Sequence, residues 1–316
     1  REWLKGCITE LNVESVARRF SATKATASSM FSGYGIKKCP NVTSAFASLL
    51  LEATIALDFP QEWYQWVAAL AHKGGKKPPL EYKSYRELWV QEHMWTTLLG
   101  CIREAWDIPI NDRRPWAQGG WAKLRGFTEI LLGAKLSMEV AFLSSTYLIL
   151  SFKDLERFHP MIPQRGRFFL DAWFGVRPCA IRIVARVHLA ARGRFKTATG
   201  LAPGFDLNRG AGLGCLLAAI SSINITTIVV RLNEVTCRGF DLPAPEGFMR
   251  SIIADWYGDD EKGKANLIRL AQLQLDGALY GFHLTRQRAG HDEGGEKTAY
   301  LNYSLKGTKW ESIEEG

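Results

Sequence analysis

Three aspartates lie close together in the stretch IIADWYGDDEKGK, residues 252–264, directly after a short apolar run. Asp259 and Asp260 are adjacent, and Asp255 lies just before them. Adjacent carboxylates repel each other and resist removal from water, so a positively charged partner is expected beside them. A divalent cation such as Mg²⁺ or Mn²⁺ is a candidate, because hard cations prefer carboxylate oxygens. A solvated acidic turn is the alternative, since adjacent aspartates are common in turns.

A second segment also ends on a carboxylate and could meet the first. YLILSFKD, residues 147–154, has the aromatic and β-branched residues typical of a strand and ends on Asp154. Trp66 to Ala71 reads as another strand, followed by a basic loop rich in glycine and proline. Three further segments have helical periodicity: 43–58, 127–145 and 165–192. This mixture predicts an α+β domain in which the tips of the two carboxylate-ended strands could meet in space.

One uncharged stretch, GAGLGCLLAAISSINITTIVV at residues 210–230, is long enough to span a bilayer. It opens with three alternating glycines and contains five Ser, Thr or Asn residues, which disfavour a membrane span. The glycine spacing also differs from the dinucleotide-binding fingerprint. We therefore expect a glycine turn followed by a buried helix, and no membrane partner.

The composition indicates a folded, basic and intracellular protein. Of the 316 residues, 47% are hydrophobic and 23% are charged, which suits a folded chain. The net charge of +8 suits a polyanionic partner, although it also suits simple solubility. The six cysteines form no CxxC pair, so we expect no disulfide framework, and a nuclear or cytoplasmic location without secretion. The start REWLKG, without Met or a signal peptide, suggests a piece of a longer protein.

The order and spacing of several motifs over residues 20–305 resemble the reverse transcriptase of non-long-terminal-repeat (LINE-type) retrotransposons, in partly degenerate form. The residues similar to the first family motif are Pro60, Trp63, Lys73, Gly75, Lys76, Tyr85 and Arg86. Those similar to the next motif are Gln118, Gly119, Trp121, Arg125, Thr128 and Glu129. The first catalytic motif resembles Asp154 to Pro163, and the glycine motif resembles Arg209 to Ala219. The Y-x-D-D turn corresponds to Tyr257-Gly258-Asp259-Asp260, and the closing motif resembles Gly281 to Leu284 with Arg288.

The resemblance implies a right-hand polymerase with a fingers-like region at 1–125 and a palm-like region at 126–316. The palm sheet would be covered by helices on one face, and the thumb would be absent or incomplete. The implied activity is RNA-directed DNA synthesis by two-metal nucleotidyl transfer onto a primer 3′-OH. The partners would be an RNA template, a DNA primer and deoxynucleoside triphosphates, with the oligomeric state left open.

The same resemblance implies roles for individual residues. The catalytic and metal-binding set would be Asp154, Asp259 and Asp260, with Mg²⁺ or Mn²⁺ as cofactor. The nucleotide-binding set would be Lys73, Arg86, His159 and Gly214. The template and primer contacts would be Gln118, Arg209 and Arg288. Lys73 and Arg86 suit a triphosphate because they supply positive charge.

The chain departs from the family pattern, so alternatives remain open. Pro160 replaces the second acidic position of the first catalytic motif, and Leu213 replaces the usual glutamine. In a second alignment Ala254-Asp255 is the degenerate carboxylate pair, and an essential metal ligand is then lost. Two other classes of protein also fit: a viral RNA-dependent RNA polymerase, and a catalytically dead remnant that only binds nucleic acid.

Overall fold

The computed structural model describes much of the chain, which falls into two compact units. The described residues are 1–20, 33–115, 118–120, 126–143, 148–156, 159, 162–210, 212, 214–236, 240–242, 250–252, 254–257, 260–265, 292–293, 299–303 and 311–312. Unit 1 comprises Arg1–Ile110 and Pro163–Ala218, and unit 2 comprises Asn111–Ile162 and Ala219–Gly316. The chain therefore returns to each unit after leaving it. The functional division into fingers and palm at residue 125 stays a prediction.

The described residues form both helices and strands. The helices are α1 (Glu2–Cys7), α2 (Glu10–Ala17), α3 (Gly33–Lys38), α4 (Pro40–Ala56), α5 (His93–Ile102), α6 (Glu104–Arg113), α7 (Phe127–Leu143), α8 (Gln164–Trp173), α9 (Pro178–His188) and α10 (Ala218–Thr236). The strands are β1 (Gln65–His72), β2 (Tyr85–Val90), β3 (Leu148–Glu156), β4 (Arg192–Thr197), β5 (Gly200–Leu201), β6 (Phe205–Asp206), β7 (Phe240–Leu242), β8 (Arg250–Ile252), β9 (Ala254–Tyr257), β10 (Asp260–Ala265), β11 (Asp292–Glu293), β12 (Ala299–Tyr303) and β13 (Glu311–Ser312). The α+β prediction is confirmed.

Each unit has its own sheet. In unit 1 the strand order is β2-β1-β4-β5, with β6 also paired to β4. Strands β1 and β2 form an antiparallel hairpin, whereas β1 and β4 are parallel. In unit 2 the order is β13-β12-β3-β10-β9, with β11 also paired to β3, and β7 and β8 form a separate pair.

Local signals explain the elements that the sequence predicts correctly. Helix α4 has Pro40 in its first turn, where the missing N–H costs nothing, and is followed by Leu57 in the left-handed conformation with φ of 54°. Helix α7 starts with Glu129 accepting a hydrogen bond from the Gly126 N–H at 2.7 Å, which satisfies a donor at the helix start. Strands β1 and β3 also lie at the predicted places.

Two predicted elements differ from the structure. The helical segment predicted over 165–192 is two helices, because Gly175 takes a positive φ of 87° after α8 and Pro178 begins α9. The basic loop after Ala71 is shorter than predicted, because β2 folds back and pairs with β1 from His72↔Tyr85 to Val67↔Val90. Tyr85 and Trp89 are strand-forming residues whose alternation is obscured by the charges between them.

Aromatic side chains build the interior of unit 1. Trp66 of β1 and Trp89 of β2 are buried in one cluster with Ala68 and Ala191. Phe195 and Leu207 pack against this cluster. A second aromatic group stacks Phe59 on Trp63 at 5.1 Å between ring centroids, with Trp95 5.7 Å from Trp63. Of the two family-motif positions just before β1, Trp63 is therefore a packing residue, whereas Pro60 is exposed.

Helices cover the sheet of unit 2. Ala141 of α7 and Leu148 of β3 are fully buried together, with Met138 and Val140 packed against them. Helix α10 is buried over most of residues 218–230, as predicted for the segment after the glycine turn. Among the described helices none combines the length and apolar character that a membrane crossing needs. The five cysteines in the described residues are free thiols: Cys7, Cys39, Cys101, Cys179 and Cys215.

Candidate active site

The two carboxylate-tipped strands are neighbours in the sheet of unit 2. Strand β10 pairs antiparallel with β3, and Asp260 stands directly opposite Asp154 in that register. Directly opposite residues in an antiparallel pair have Cα atoms about 4.5–5.5 Å apart. Two carboxylate residues that lie far apart in the sequence therefore occupy adjacent positions on one face of the sheet.

The Y-x-D-D motif joins β9 to β10. Tyr257 pairs with Asp260 at the end of these strands, so the connection between them contains only Gly258 and Asp259. A two-residue connection is the commonest kind in antiparallel hairpins. Asp259 itself lies outside the described residues, so its predicted role stays a prediction.

Asp255 belongs to the same hairpin as Asp260 but lies further from Asp154. It pairs with Lys262, and alternation along the strands places positions 255, 260 and 154 on the same face. Asp255 is two strands and two residues away from Asp154, which corresponds to about 12 Å between Cα atoms. The register therefore favours Asp260 over Asp255 as the neighbour of Asp154.

The donor set around Asp154 and Asp260 suits a hard divalent cation. Both residues carry carboxylates, the ligands that Mg²⁺ and Mn²⁺ prefer, and their backbone positions are close enough for side chains to share an ion. Among the side chains that the structure describes, no group of three or more His, Cys, Asp or Glu could hold a metal. The side chains of Asp154 and Asp260 are outside that set, so metal binding by them stays a prediction.

The predicted phosphate-binding cations lie on the hairpin of unit 1. Lys73 continues the ladder beyond β1, because its N–H donates to Ser84 O at 2.9 Å, and Arg86 pairs with Ala71 on β1. Alternation places positions 73 and 86 on the same face of the hairpin. Both residues are exposed, so their charges are accessible to a ligand in solution.

The glycine motif before α10 packs closely against β2. Gly210, Gly212 and Gly214 have positive φ angles of 95°, 57° and 116°. A Cβ atom at Gly214 would lie 2.3 Å from the Trp89 carbonyl oxygen, and one at Gly212 would lie 3.1 Å from Cζ3 of Trp66. Close packing of two backbone segments therefore explains the glycine at 214, and its predicted nucleotide contact stays a prediction.

His159 contacts the helix that follows the glycine motif. Its Nδ1 is 2.9 Å from Oγ of Ser222 on α10. Burial lowers the pKa of His159 from 6.5 to about 4, so the ring is neutral near pH 7. The role of His159 in nucleotide binding stays a prediction.

Gln118 lies inside unit 2. The side chain is fully buried; its Nε2 donates to Thr226 Oγ1 at 2.6 Å and its Oε1 accepts from the Gly120 N–H at 2.9 Å. These bonds tie the 118–120 segment to α10. A contact between Gln118 and a template would require these two hydrogen bonds to break. The bonds explain the buried Gln118 side chain by the packing of unit 2.

The other predicted template contacts are placed only in part. Arg209 is exposed and forms an isolated bridge with Pro163, and the Gly210 carbonyl accepts a hydrogen bond from Gln164. Arg288 lies outside the described residues, together with the rest of the closing motif. The predicted roles of both arginines stay predictions.

A buried charged cluster in unit 1 was not foreseen from the sequence. Arg167 is 1% exposed, and its Nη2 is 3.1 Å from Nδ1 of the fully buried His188. Burial lowers the pKa of Arg167, while the negative charge of Asp171 one helical turn away raises it. Asp171 also accepts a hydrogen bond from Trp106 Nε1 at 3.0 Å. Burial, and then the charge of Arg167, hold the pKa of His188 well below 6.5.

The sequence analysis also missed a pocket in unit 1. A cavity of about 430 Å³ is lined by Arg186, Arg192 and Arg194 together with Tyr64 and other residues. The signal was present in the sequence as basic residues at alternate positions of β4, but it resembled an ordinary solvated strand face.

No protein-family model matches the chain, and no curated protein matches it. Among solved structures, the chain is similar to an apo telomerase from Candida tropicalis truncated from its C-terminal domain, with a TM-score of 0.56 and 12% sequence identity. The match covers 90% of this chain and 59% of the telomerase chain. At this identity the similarity concerns the fold alone. The α+β architecture with its helix-covered sheet is thus compatible with a polymerase-like fold.

Proposed function

We propose that the chain is the reverse transcriptase domain of a non-long-terminal-repeat retroelement. It would extend a DNA primer on an RNA template with deoxynucleoside triphosphates. The observation that supports this most is the register that sets Asp154 opposite Asp260, beside the connection that contains Asp259. The order of the family motifs and the fold similarity to a telomerase agree with it. Because the chain covers only 59% of that telomerase chain, every activity is part of the proposal.

The carboxylates and the cations of the chain would divide the chemistry between them. Asp154, Asp259 and Asp260 would hold Mg²⁺ or Mn²⁺, which when bound supplies Lewis-acid activation of the primer 3′-oxygen and charge stabilisation at the leaving pyrophosphate. Lys73 and Arg86 would neutralise the triphosphate, since both are exposed on one face of their hairpin. The neutral ring of His159 would limit the space at the sugar.

Primer extension tests this proposal directly. The parent chain is incubated with an RNA template, a DNA primer, Mg²⁺ and either deoxynucleotides or ribonucleotides. Extension with deoxynucleotides is expected. Extension with ribonucleotides alone would instead support the viral RNA-dependent RNA polymerase, and binding without extension would support the catalytically dead remnant.

Two matched variants identify the carboxylates. Asp259→Asn should abolish extension and leave folding intact, because Asn keeps the shape of Asp without the charge that a hard cation needs. Asp255→Asn removes the same charge from the same hairpin, at a position about 12 Å from Asp154 by register, and should change activity little. Activity that survives Asp259→Asn would show that the motif is only a turn.

A further inference from the structure

The basic excess of the chain is concentrated in one segment of unit 1. Between residues 163 and 204 the sequence has seven arginines and one lysine, but only one acidic residue, Asp171. Asp171 is buried beside Arg167, so these two charges compensate each other inside the fold. The remaining basic residues of the segment, which lie on α8, α9, β4 and the turn between the two helices, supply much of the net charge of +8.

Helix α9 and strand β4 each direct their basic residues to one side. The buried positions of α9 include Ile183, Val184 and Val187, which leaves Arg182 and Arg186 exposed one helical turn apart. On β4, Gly193 is buried against the ring of Trp89, while the flanking Arg192 is exposed. Alternation therefore places Arg192 and Arg194 on the opposite face from Gly193, about 7 Å apart along the strand.

The arginines of the two elements meet at the 430 Å³ pocket. Arg186, Arg192 and Arg194 line it together with the partly buried ring of Tyr64 and the carboxylate of Asp58. Arg192 is paired with Asp206 at 3.4 Å, but these side chains are 62% and 74% exposed. An ion pair so exposed contributes little and exchanges readily with another anion. The lining thus has an excess of positive charge next to an aromatic ring.

The pocket is separate from the predicted nucleotide-binding cations. Gln65 at the start of β1 lines the pocket, whereas Lys73 follows the last residue of the same strand. Gln65 and Lys73 are about 26 Å apart along β1, and by register Arg194 and Arg86 are about 16 Å apart on the same face of the sheet. A ligand of the pocket would therefore be a different group from the triphosphate held by Lys73 and Arg86.

We propose that this pocket binds a short segment of single-stranded RNA. Guanidinium groups match phosphate oxygens in geometry and charge, and arginines two residues apart on a strand have a spacing similar to that of successive phosphates. Tyr64 supplies a face on which a base could stack, as in other grooves for single-stranded nucleic acid. A volume of about 430 Å³ is in the range of small-molecule sites and admits a nucleotide unit but no duplex. This inference rests on the proposed function only in taking a nucleic acid as the ligand.

Salt-dependent RNA binding by the full chain tests the pocket, with no metal and no nucleotides present. The probe is a fluorescein-labelled 16-nucleotide RNA of mixed sequence without self-complementarity, titrated between 50 and 200 mM salt. The pocket variant Arg186→Gln/Arg194→Gln should bind about tenfold more weakly, and the slope of log K against log salt should flatten by about 1.4 for two lost phosphate contacts. Tyr64→Ala should weaken binding at least about fivefold without changing the slope, because stacking releases no counterions.

The matched control is Arg19→Gln/Arg165→Gln, which removes the same charge from two exposed positions of unit 1 outside the pocket. An equal effect of both double variants would overturn the proposal, because the binding would then follow net charge alone. Tighter binding of an RNA duplex than of the single strand would also overturn it. A parent that extends primers while the pocket variant binds RNA normally would sink this inference and leave the proposed function standing. A parent that binds no RNA would sink both.

Discussion

Asp171 in unit 1 and Asp154 in unit 2 are aspartates with opposite surroundings. Asp171 is 1% exposed, accepts a hydrogen bond from Trp106 and lies one helical turn from the guanidinium of Arg167. Asp154 stands on a strand directly opposite another aspartate, Asp260. A compensated buried charge can be explained by the stability of the fold. Like charges directly opposite each other destabilise a sheet, so the second arrangement agrees with the cation that we propose between Asp154 and Asp260.

The largest expected effect is on the proposed activity of the pair Asp154 and Asp260. Under the proposed function, Asp154→Asn should lower primer extension at least about a thousandfold, because the variant would lose a proposed ligand of the metals. The thermal midpoint should stay the same or rise slightly, because a repulsion is removed. Parallel extension assays and melting curves measure both quantities. The control is Asp112→Asn, an exposed aspartate of unit 2 that should leave both unchanged. A large loss of stability in Asp154→Asn would erase the contrast between the two aspartates.

Substitution of Asp171, the compensated aspartate, should lower the stability of the fold, whereas substitution of Asp154 should not. Asp171→Asn should lower the free energy of unfolding by about 4 kcal/mol, because the buried guanidinium of Arg167 loses its counter-charge. Urea unfolding followed by circular dichroism measures this change. Asp206→Asn breaks the exposed pair with Arg192 and should cost less than about 1 kcal/mol. Equal costs for the two substitutions would show that Asp171 is not a compensating charge.

Close packing in unit 1 can be tested at its glycine motif. Gly214→Ala should lower the free energy of unfolding by about 3 kcal/mol, because the new Cβ meets the Trp89 carbonyl oxygen and a φ of 116° is strained for alanine. Gly200→Ala is the matched control, since its φ is 126° but nothing lies within 4 Å of the added Cβ. The difference between the two variants isolates the steric contact from the backbone strain. No difference would mean that the segment can move away from β2.

The smallest expected effect is a pH dependence from His159, the partly buried histidine of unit 2. The unfolded chain protonates His159 near pH 6.5, whereas the folded chain does so near pH 4, so stability falls as the pH drops through this window. The expected loss between pH 7 and pH 5 is about 2 kcal/mol. His159→Asn should flatten this part of the stability curve measured by urea unfolding. His188 adds a loss of the same sign, which stays in the variant. An unchanged slope would place His159 in contact with solvent.

Local sequence signals predicted several elements and part of the candidate site. The strand that carries Asp154, helix α7 and the buried helix after the glycine turn all follow from periodicity, turn residues and capping over a few neighbouring residues. The break between α8 and α9 was readable from Gly175 and Pro178, but the apolar periodicity on both sides obscured it.

Local sequence signals could not predict contacts between residues that lie far apart in the chain. The register that sets Asp260 opposite Asp154 depends on how two distant strands align, and the sequence suggested only that the two tips could meet. Gln118 donates to Thr226, 108 residues further along the chain, whereas the family resemblance had implied a template contact for it. The glycine at 214 likewise fits a backbone contact with Trp89, which no local pattern predicts.

The alternation of the chain between its two units has a consequence for its synthesis on the ribosome. Unit 1 lacks α8, α9 and β4 until residues up to 218 have been made, so it cannot close as an early domain. Strand β3 is made well before its neighbour β10, a delay of about 100 residues, or roughly 5 to 20 s at usual elongation rates. During that interval an apolar strand has unpaired edges, and nascent chains with such edges depend on chaperones to avoid aggregation.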